Sequence, residues 1–331
     1  MNNFLITGGC GFIGIALIKK LLLDGFKNIR VIDNLSVGKP KDLKLVCDFQ
    51  ELKLSEIKVP PSGVELVIGD IVDSELAKSV SQGCDVIVHL AANTGVEPSV
   101  NDPRKDMMTN IIGTFNYLEA ARLNKTLKFI FSSSGAPAGE VVPPIHEEIP
   151  LHPVSPYGAS KLAGEGYCSA YKKTFDIDTV SLRFGNVYGP GSINKLSVIA
   201  KFISQALDGK ILKIYGDGLQ TRDFIYIDDL IQAIMLSITS SNVGGETFQI
   251  ANNKETSIIE IVNLLIKELN QNGIKNVLLK NVSPRLGDVK RNFSDTSKAH
   301  KILGWHPKVP LDEGISKTVS YFLNKFNKGV N

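Results

Sequence analysis

The sequence predicts an α/β fold with a doubly wound parallel sheet. Three observations predict it. A glycine-rich turn joins a strand pattern to a helical pattern near the N-terminus, and strand patterns then alternate with helical patterns as far as residue 131. A tyrosine, Tyr157, precedes a lysine, Lys161, by one helical turn at the start of another helix pattern. Such alternation is typical of parallel sheets, which bind ligands at the carboxyl ends of their strands.

Composition restricts the class of protein. The chain has 331 residues, a hydrophobic content of 43% and a formal net charge of +3, which is ordinary for a soluble globule. The small, dispersed charge argues against nucleic acid as a partner. No apolar run reaches the ~18 residues of a membrane span, and the N-terminus lacks a signal-peptide pattern. We expect a cytoplasmic protein without a metal site and with reduced thiols at its four cysteines, Cys10, Cys47, Cys84 and Cys168.

The first element is a candidate dinucleotide site. An apolar strand over 4–7 leads through a turn with three glycines into an amphipathic helix over 15–23. Gly8 would permit the tight turn, Gly11 would let a phosphate approach the backbone, and Gly14 would let helix and strand pack closely. The helix N-terminus would offer N–H groups to a pyrophosphate. Glycines at this spacing also occur in ordinary turns, so the choice between a dinucleotide site and an ordinary turn depends on the elements that follow.

The second strand favours NAD over NADP. It covers residues 28–33 and ends in Asp33, whose carboxylate can accept both ribose hydroxyls and would repel a 2′-phosphate. A third strand over 65–71 includes Asp70, which we expect beside the adenine. The lysine-rich residues 40–63 between them predict a solvated helix and loop.

The next elements complete the predicted sheet edge. A fourth strand over 85–92 ends in two alanines, small enough to let a cofactor lie against it. His89 falls within its apolar run, and we interpret it as a hydrogen-bonded structural histidine rather than a catalytic one. A helix over 103–124 comes next, and then a fifth strand over 128–131.

Candidate catalytic groups lie beyond the fifth strand. Ser132, Ser133 and Ser134 come directly after it, so a hydroxyl there could bond a substrate hydroxyl and pass its proton to Tyr157. Tyr157 and Lys161 share one helix face. A phenol ionises near pH 10, and lowering its pKa by about three units takes roughly 4 kcal/mol. We expect Lys161 and an oxidised nicotinamide to provide this free energy. A tyrosine and a lysine at this spacing are also typical of an exposed helix start.

Taken together, these motifs resemble a known family. The glycine turn, Asp33, residues 69–71 and 89–92, the serines and the Tyr157/Lys161 pair occur in the order of an extended short-chain dehydrogenase/reductase. The resemblance is to the NAD-dependent nucleotide-sugar epimerase/dehydratase family. Residues 33–36 and 183–190 are most similar to UDP-glucose or UDP-N-acetylglucosamine 4-epimerases.

The resemblance implies a catalytic role for three residues. Tyr157 would be the base, Lys161 would bind the nicotinamide ribose and tune Tyr157, and Ser134 would be the third member. NAD would be held by Tyr157 and Lys161 and by a larger set along the sheet edge: Gly8, Gly11, Phe12, Ile13, Gly14, Asp33, Asn34, Ser36, Gly38, Asp70, Ile71, Leu90, Ala91, Ala92, Asn110 and Ser132.

The resemblance also implies a UDP-sugar substrate and a homodimer. Residues 1–185 would form an NAD-binding Rossmann domain to which 224–250 return, and 186–331 would form a smaller, discontinuous cap of mixed α/β structure that binds the substrate. The dimer would form through the helices at 103–124 and 157–173. The residues that would contact the substrate are Ser134, Asn186 on a phosphate or sugar, Tyr215 on the base, Arg222 on the diphosphate, and Arg285 and Asp288 on a phosphate and a ribose hydroxyl.

The reaction is inferred from the two residues after Ser134. Dehydratases of the family have an Asp-Glu pair there, whereas this chain has Gly135 and Ala136, which carry no proton. Inversion at C4 through a 4-keto intermediate needs neither acid. The alternatives are a 4,6-dehydratase or other 4-keto sugar enzyme, and a non-catalytic NAD-binding sensor.

Two departures from the family pattern leave the identity of the sugar undecided. Residues 137–139 read Pro-Ala-Gly where Val-Tyr-Gly is usual, and Asn292 stands where some epimerases carry a tyrosine. The smaller Asn292 suggests room for an N-acetyl group, and Lys195 could serve a uronic acid. In the rest of the cap, residues 257–266 predict a helix with a capping box, and Trp305 predicts a core anchor.

Overall fold

The computed structural model describes residues 1–194, 197–284 and 289–329. Its strands, in chain order, are β1 (Asn3–Thr7), β2 (Asn28–Asp33), β3 (Gln50–Glu51), β4 (Val64–Ile68), β5 (Val86–His89), β6 (Lys128–Ser134), β7 (Asp178–Phe184), β8 (Asn186–Tyr188), β9 (Leu212–Tyr215), β10 (Thr221–Arg222), β11 (Phe224–Tyr226), β12 (Thr247–Ile250), β13 (Thr256–Ser257) and β14 (Leu279–Val282).

Helices connect these strands. They are α1 (Phe12–Leu23), α2 (Pro40–Lys44), α3 (Ser74–Val80), α4 (Val96–Asn101), α5 (Pro103–Met107), α6 (Gly113–Leu123), α7 (Pro156–Phe175), α8 (Val198–Leu207), α9 (Ile227–Thr239), α10 (Ile258–Gln271), α11 (Ser297–Leu303) and α12 (Leu311–Gly329). A π-helical turn, Met108–Ile112, joins α5 to α6.

An eight-stranded parallel sheet forms the centre, in the order β12-β7-β6-β5-β1-β2-β4-β3. The chain moves to opposite sides of β1 when it forms β2 and β5, so a crevice opens at their carboxyl ends. This confirms the doubly wound α/β prediction.

Both faces of the sheet are apolar, because side chains of a strand alternate between its faces. Phe4 and Ile6 of β1 belong to one hydrophobic core, which includes α1 and α9, and Leu5 belongs to the other, which includes α3 and α6. All four cysteines are free, as expected.

Several predicted boundaries were wrong. Helix α1 begins at Phe12, so Gly14 lies inside its first turn. The strands predicted as the third and fourth are β4 and β5, which end earlier than expected, at Ile68 and His89. The three serines belong to β6. Residues 40–63 contain the edge strand β3 as well as α2. Two polar residues carry no strand pattern, and β3 exists only because it pairs with β4.

The second half of the chain contributes one strand to the large sheet and forms three two-stranded ribbons of its own. β12 lies beside β7 in the large sheet, while β8 pairs with β11, β9 with β14 and β10 with β13 in separate ribbons. The capping box of Ser257 and Glu260 is confirmed. Trp305 is fully buried and donates its Nε1–H to the Asp229 carbonyl, which confirms it as a core anchor. Among the described residues, no helix could span a bilayer.

Candidate active site

The glycine turn lies at the centre of the sheet edge. Gly8 has φ +69° and a Cβ there would be 2.9 Å from the Ala91 nitrogen, while a Cβ on Gly14 would be 2.5 Å from the Gly9 Cα. A side chain at either position would force the backbone apart, so both glycines are required by the local geometry. The turn is therefore closed against β5 on one side and against α1 on the other.

Asp33 holds the same turn from β2. Its Oδ2 accepts the Cys10 N–H at 3.0 Å and its Oδ1 accepts the Leu35 N–H at 2.8 Å. The side chain is buried, which raises its pKa. These bonds fix the carboxylate at the tip of β2, where sequence reasoning expects it to meet a ribose.

The other predicted adenosine residues gather around Asp33. Asn34 donates its Nδ2–H to Asp70 Oδ2 at 2.9 Å and accepts the Ser36 N–H at 3.1 Å. A Cβ on Gly38 would lie 2.4 Å from the Cys10 carbonyl, so this loop packs directly on the glycine turn. The structure thus brings residues 33–38, Asp70 and the turn together, and Ile71 lies buried next to Asp70.

The N-terminus of α1 suits an anion. Among the described residues no side chain caps it, and its first turn, which includes Phe12, Ile13 and Gly14, carries no acid. The helix dipole and uncapped N–H groups of such an end favour a phosphate. These features and the acceptor at Asp33 fit NAD.

His89 is a structural residue, as predicted. It is fully buried, and its Nδ1 lies 3.0 Å from Thr7 Oγ1 and its Nε2 3.2 Å from Thr114 Oγ1. Thr7 Oγ1 also accepts the N–H groups of Leu90 and Ala91, so its own hydrogen is left for His89 Nδ1. Burial lowers the pKa of His89 to about 3. The neutral ring therefore supports the end of β5, just before Ala92.

Asn110 lies in the π-helical turn and is buried. Its Oδ1 accepts the Asn93 N–H at 2.8 Å, and its Nδ2 donates to Asn93 O, Asp106 Oδ1 and Ser160 Oγ at 3.0, 3.0 and 3.1 Å. Ser160 is adjacent to Lys161, so Asn110 connects the helix after β5 to the helix that carries the candidate base.

The three candidate catalytic residues meet where β6 ends and α7 begins. Ser155 caps α7 by accepting the Gly158 N–H at 3.1 Å, and Pro156 occupies its first turn. The Ser134 side chain acts on the Tyr157 phenol, whose pKa it lowers against the effect of burial. Lys161 Nζ donates to the Ser132 carbonyl at 2.8 Å and lies 5.9 Å from the centre of the Tyr157 ring. Ser132 Oγ itself donates to the His89 carbonyl at 2.8 Å.

Burial acts against the lowered pKa that is expected of Tyr157 beside Lys161 and an oxidised nicotinamide. It raises the pKa of Tyr157 to about 12 and lowers that of Lys161 to about 8. Removing water disfavours the charged form of each group.

The described part of the chain includes three further residues that are predicted to contact the substrate, Asn186, Arg222 and Tyr215. Asn186 is exposed at the start of β8, two positions after Phe184, which pairs with Ser134 in register. Arg222 is part-buried in β10 and donates to the Val289 carbonyl at 2.7 Å. Tyr215 ends β9 and its carbonyl accepts from Gln220. Arg285 and Asp288, like Lys195, lie outside the described residues.

Asn292 lies close to Gly135, the residue that follows Ser134 in the chain. A Cβ on Gly135 would be 3.9 Å from its Oδ1, and its backbone N–H donates to Thr221 Oγ1 at 3.3 Å. The segment with Asn292 is thereby joined both to the strand of Arg222 and to the loop after Ser134.

Sequence reasoning missed a buried polar group behind the serines. Glu165 accepts from Ser133 Oγ at 2.6 Å and forms two bonds with Arg183 at 2.8 and 2.7 Å. The spacing of Glu165, one helical turn after Lys161, was the available signal. Asp223 was missed too. It accepts backbone N–H groups of Asn252 and Ser294, and burial raises its pKa to about 6.

Comparisons with known proteins agree with this geometry. Residues 5–318 match the family model described as GDP-mannose 4,6 dehydratase. A UDP-glucose 4-epimerase of Mycolicibacterium smegmatis is 36% identical over 97% of this chain and 98% of its own. The UDP-glucose 4-epimerase of Thermotoga maritima, solved with UDP-glucose, has a TM-score of 0.85 and 34% identity over 98% of this chain and 99% of its own. That of Thermus thermophilus, solved with NAD, has a TM-score of 0.84 and 32% identity over 97% and 99%.

Proposed function

Because the chain belongs to the extended short-chain dehydrogenase/reductase family of nucleotide-sugar epimerases and dehydratases, we propose that it is an NAD-dependent UDP-sugar 4-epimerase. It inverts C4 of a UDP-hexose through a 4-keto intermediate. The observation that carries the proposal is the meeting of Ser134, Tyr157 and Lys161 at the carboxyl edge of the sheet, with Gly135 and Ala136 next in the chain.

The sheet edge holds the cofactor. The glycine turn and the start of α1 bind the pyrophosphate, Asp33 accepts from the adenosine ribose, and Lys161 binds the nicotinamide ribose. The remaining residues of the predicted NAD set line the edge between them. NAD held there would supply the hydride chemistry at the sugar C4, which the inversion needs in both directions.

The chain's own residues move the proton. Tyr157 Oη takes the proton of the sugar C4 hydroxyl through its contact with Ser134, and gives it back after the sugar has turned. Lys161 and the positive nicotinamide favour the phenolate against the effect of burial. The return of the proton leaves the enzyme in its starting state.

The dehydratase alternative lacks its acid and base. Elimination at C5 and C6 needs proton carriers beside the ring, and Gly135 and Ala136 have no titratable side chain. This feature favours epimerisation although the family model takes its name from a dehydratase. A non-catalytic sensor would not need Ser134, Tyr157 and Lys161 together.

The sugar pocket accommodates a C2 N-acetyl group. The proximity of Asn292 to Gly135 supports this, since asparagine is smaller than the tyrosine of some epimerases and glycine adds no side chain. Asn186, Tyr215 and Arg222 with Arg285 and Asp288 bind the UDP portion. Changing Asn292 to Tyr is expected to lower kcat/KM for UDP-N-acetylglucosamine by ~tenfold or more, while UDP-glucose changes less than twofold. Equal losses on both sugars would contradict the pocket.

The chain is proposed to divide into an NAD-binding domain and a cap. Residues 1–185 and 224–250 form the NAD-binding domain, and the rest of 186–331 forms the cap. The partnership of β12 with β7 supports the return of the chain to the first domain. The four free thiols support a cytoplasmic location.

A homodimer is proposed through α6 and α7. The ring of Phe115 on α6 contacts Tyr167 on α7 with centroids 5.6 Å apart. Along α7, Tyr167 contacts the buried Tyr171, which contacts Phe175, with centroids 6.3 and 5.0 Å apart. Phe115, Tyr167 and Phe175 remain 36%, 40% and 46% exposed. A second copy placed on the same two helices would cover these rings by two-fold symmetry.

The deciding experiment is proton NMR of the purified protein with UDP-glucose or UDP-N-acetylglucosamine and no added cofactor. We expect the C4 epimer to form, which would also establish that NAD stays bound during purification. A 4-keto-6-deoxy product, or turnover only when NADPH is added, would overturn the proposal.

A further inference from the structure

We propose that Glu165, paired with Arg183, is a positioning residue for the active site, because its carboxylate fixes Ser133 beside the catalytic Ser134 and faces Lys161 from the next turn of α7. This inference rests on the proposed function of the same site. It adds a group that touches neither cofactor nor substrate.

Helix α7 contacts the end of β6 through the side chains of one helix face. Tyr157, Lys161 and Glu165 lie at intervals of four residues and so form a row along one helix face. Lys161 donates to the Ser132 carbonyl at 2.8 Å, and Glu165 accepts from Ser133 Oγ at 2.6 Å. Two of the three consecutive serines are therefore held by members of the row, and the third, Ser134, acts on the Tyr157 phenol.

Glu165 is itself held rigidly. Arg183 Nε and Nη2 donate to its two oxygens at 2.8 and 2.7 Å, a forked pair whose side chains are only 4% and 6% exposed. Arg183 lies on β7, in register with Ser133 of β6. Strands β6 and β7 and helix α7 thus meet at one carboxylate.

Among the described residues, Glu165 is the carboxylate to which Arg183 donates hydrogen bonds. Arg183 Nη1 is buried and has no hydrogen-bond acceptor in the described part of the chain. Without the Glu165 charge, Arg183 would lose the carboxylate to which it donates both hydrogen bonds, and the Glu147 carboxylate, which interacts with Arg183 electrostatically, would compensate its charge only in part. We expect this loss to disturb both the position of Ser133 and the charge of Lys161.

The charge of Lys161 depends on few groups. Burial lowers its pKa, while the carboxylates of Asp106 and Glu165 raise it. The other titratable groups that act on or near it are Cys168 on α7, His89 on β5, Tyr157 on α7 and Arg183 on β7. Removing the Glu165 charge is therefore expected to let Lys161 lose its proton at a lower pH.

A matched control exists in the same sheet. Arg30 and Glu65 form a second buried pair at 2.8 Å, with side chains 0% and 2% exposed. Arg30 also donates to the Val80 carbonyl at 2.9 Å and lies among residues that the active site does not use. Glu65→Gln removes a buried carboxylate from an arginine just as Glu165→Gln does.

The test compares Glu165→Gln, Glu65→Gln and Ser133→Ala with the wild type. For Glu165→Gln we expect kcat to fall ~tenfold or more with KM within twofold, and the alkaline limit of activity to move down by about one pH unit. Glu65→Gln should lose stability but keep the wild-type kcat and alkaline limit. Ser133→Ala should lower kcat without moving the alkaline limit.

Two results would overturn the inference. One is a Glu165→Gln protein whose kcat and pH profile match those of Glu65→Gln, because its role would then be structural only. The other is a Ser133→Ala protein with wild-type kcat, which decides the matter even if Glu165→Gln does not fold.

Calorimetric titration of the nucleotide-stripped full chain with NAD between pH 7 and pH 10 separates this inference from the proposed function. The affinity of Glu165→Gln should begin to fall at a lower pH than that of wild type. That result does not depend on which sugar is turned over, so a wild type that fails to epimerise would overturn the proposed function alone.

Discussion

At the scale of single residues, the candidate base is held in its neutral form by the protein itself. The pKa of Tyr157 is raised to about 12 and that of Lys161 is lowered to about 8, both mainly by burial. The protein by itself therefore disfavours the phenolate. In the proposed mechanism, the positive ring of an oxidised nicotinamide would favour it.

Changing Tyr157 to Phe tests the base. Loss of the hydroxyl should lower kcat by about 10²- to 10⁴-fold, the usual contribution of a positioned general base. NMR of C4 epimer formation measures it. Tyr167→Phe on the same helix keeps the ring packing of that exposed tyrosine and should leave the rate within twofold. A Tyr157→Phe protein with near wild-type turnover would remove this residue from the mechanism.

At the scale of elements, α7 is placed by glycines that allow it to approach the sheet. A Cβ on Gly164 would lie 2.3 Å from Cζ of Phe131, and one on Gly158 would lie 2.6 Å from the Ala136 carbonyl oxygen. The helix that carries Tyr157 and Lys161 therefore lies directly against the strand that carries the serines.

Gly164→Ala and Gly166→Ala form a matched pair on this helix. The first forces a methyl group into Phe131 and should lower the free energy of unfolding by about 1–3 kcal/mol. The second adds its methyl where no atom lies within 4 Å and should raise it by about 1 kcal/mol through helix propensity. Urea unfolding followed by circular dichroism distinguishes them, and equal effects would refute the close packing of α7 on β6.

Sequence patterns predicted these elements better than their ends. The alternating apolar runs of β1, β2 and β6 were recognisable, but the polar serines extend β6 because β7 pairs with them in register. The helix around Asn110 was predicted as continuous, whereas a π-helical turn interrupts it. That turn is accompanied by the buried bonds of Asn110 to Asn93 and Ser160, contacts that no local pattern announces.

At the scale of the whole molecule, His89 links folding stability to pH. Its pKa is lowered to about 3 in the folded state, against about 6.5 when unfolded. The unfolded chain binds the extra proton, so the contribution of His89 is complete above about pH 6.5 and is lost as the pH falls toward 3.

Comparison with His89→Gln isolates this effect, since glutamine does not titrate. The variant should be less stable at pH 7, and its deficit should shrink by about 2 kcal/mol at pH 5. Urea unfolding at both pH values measures it. Asp223 acts in the opposite direction because its pKa is raised to about 6, but it is present in both proteins and cancels. A deficit that stays constant would mean that His89 is not held neutral.

The assembly is tested at the same scale. Phe115→Asp puts a charge among the exposed rings of α6 and α7 and should convert the proposed dimer to a monomer in sedimentation velocity at micromolar protein. Leu23→Asp changes a residue that is 74% exposed at the end of α1 and should leave the dimer intact. A monomeric wild type would refute the assembly, and a dimeric Phe115→Asp would move its interface elsewhere.

The sequence by itself predicted the fold class, the glycine turn, Asp33 and the pair of Tyr157 and Lys161, because strand alternation, turn chemistry and helical spacing are local properties of the chain. The choice of Ser134 among three consecutive serines came from the family resemblance. Only the tertiary structure decided the protonation of these groups and the pairing of Glu165 with Ser133 and Arg183. Burial and contacts between residues distant in sequence govern both. Neither can be read from neighbours along the chain.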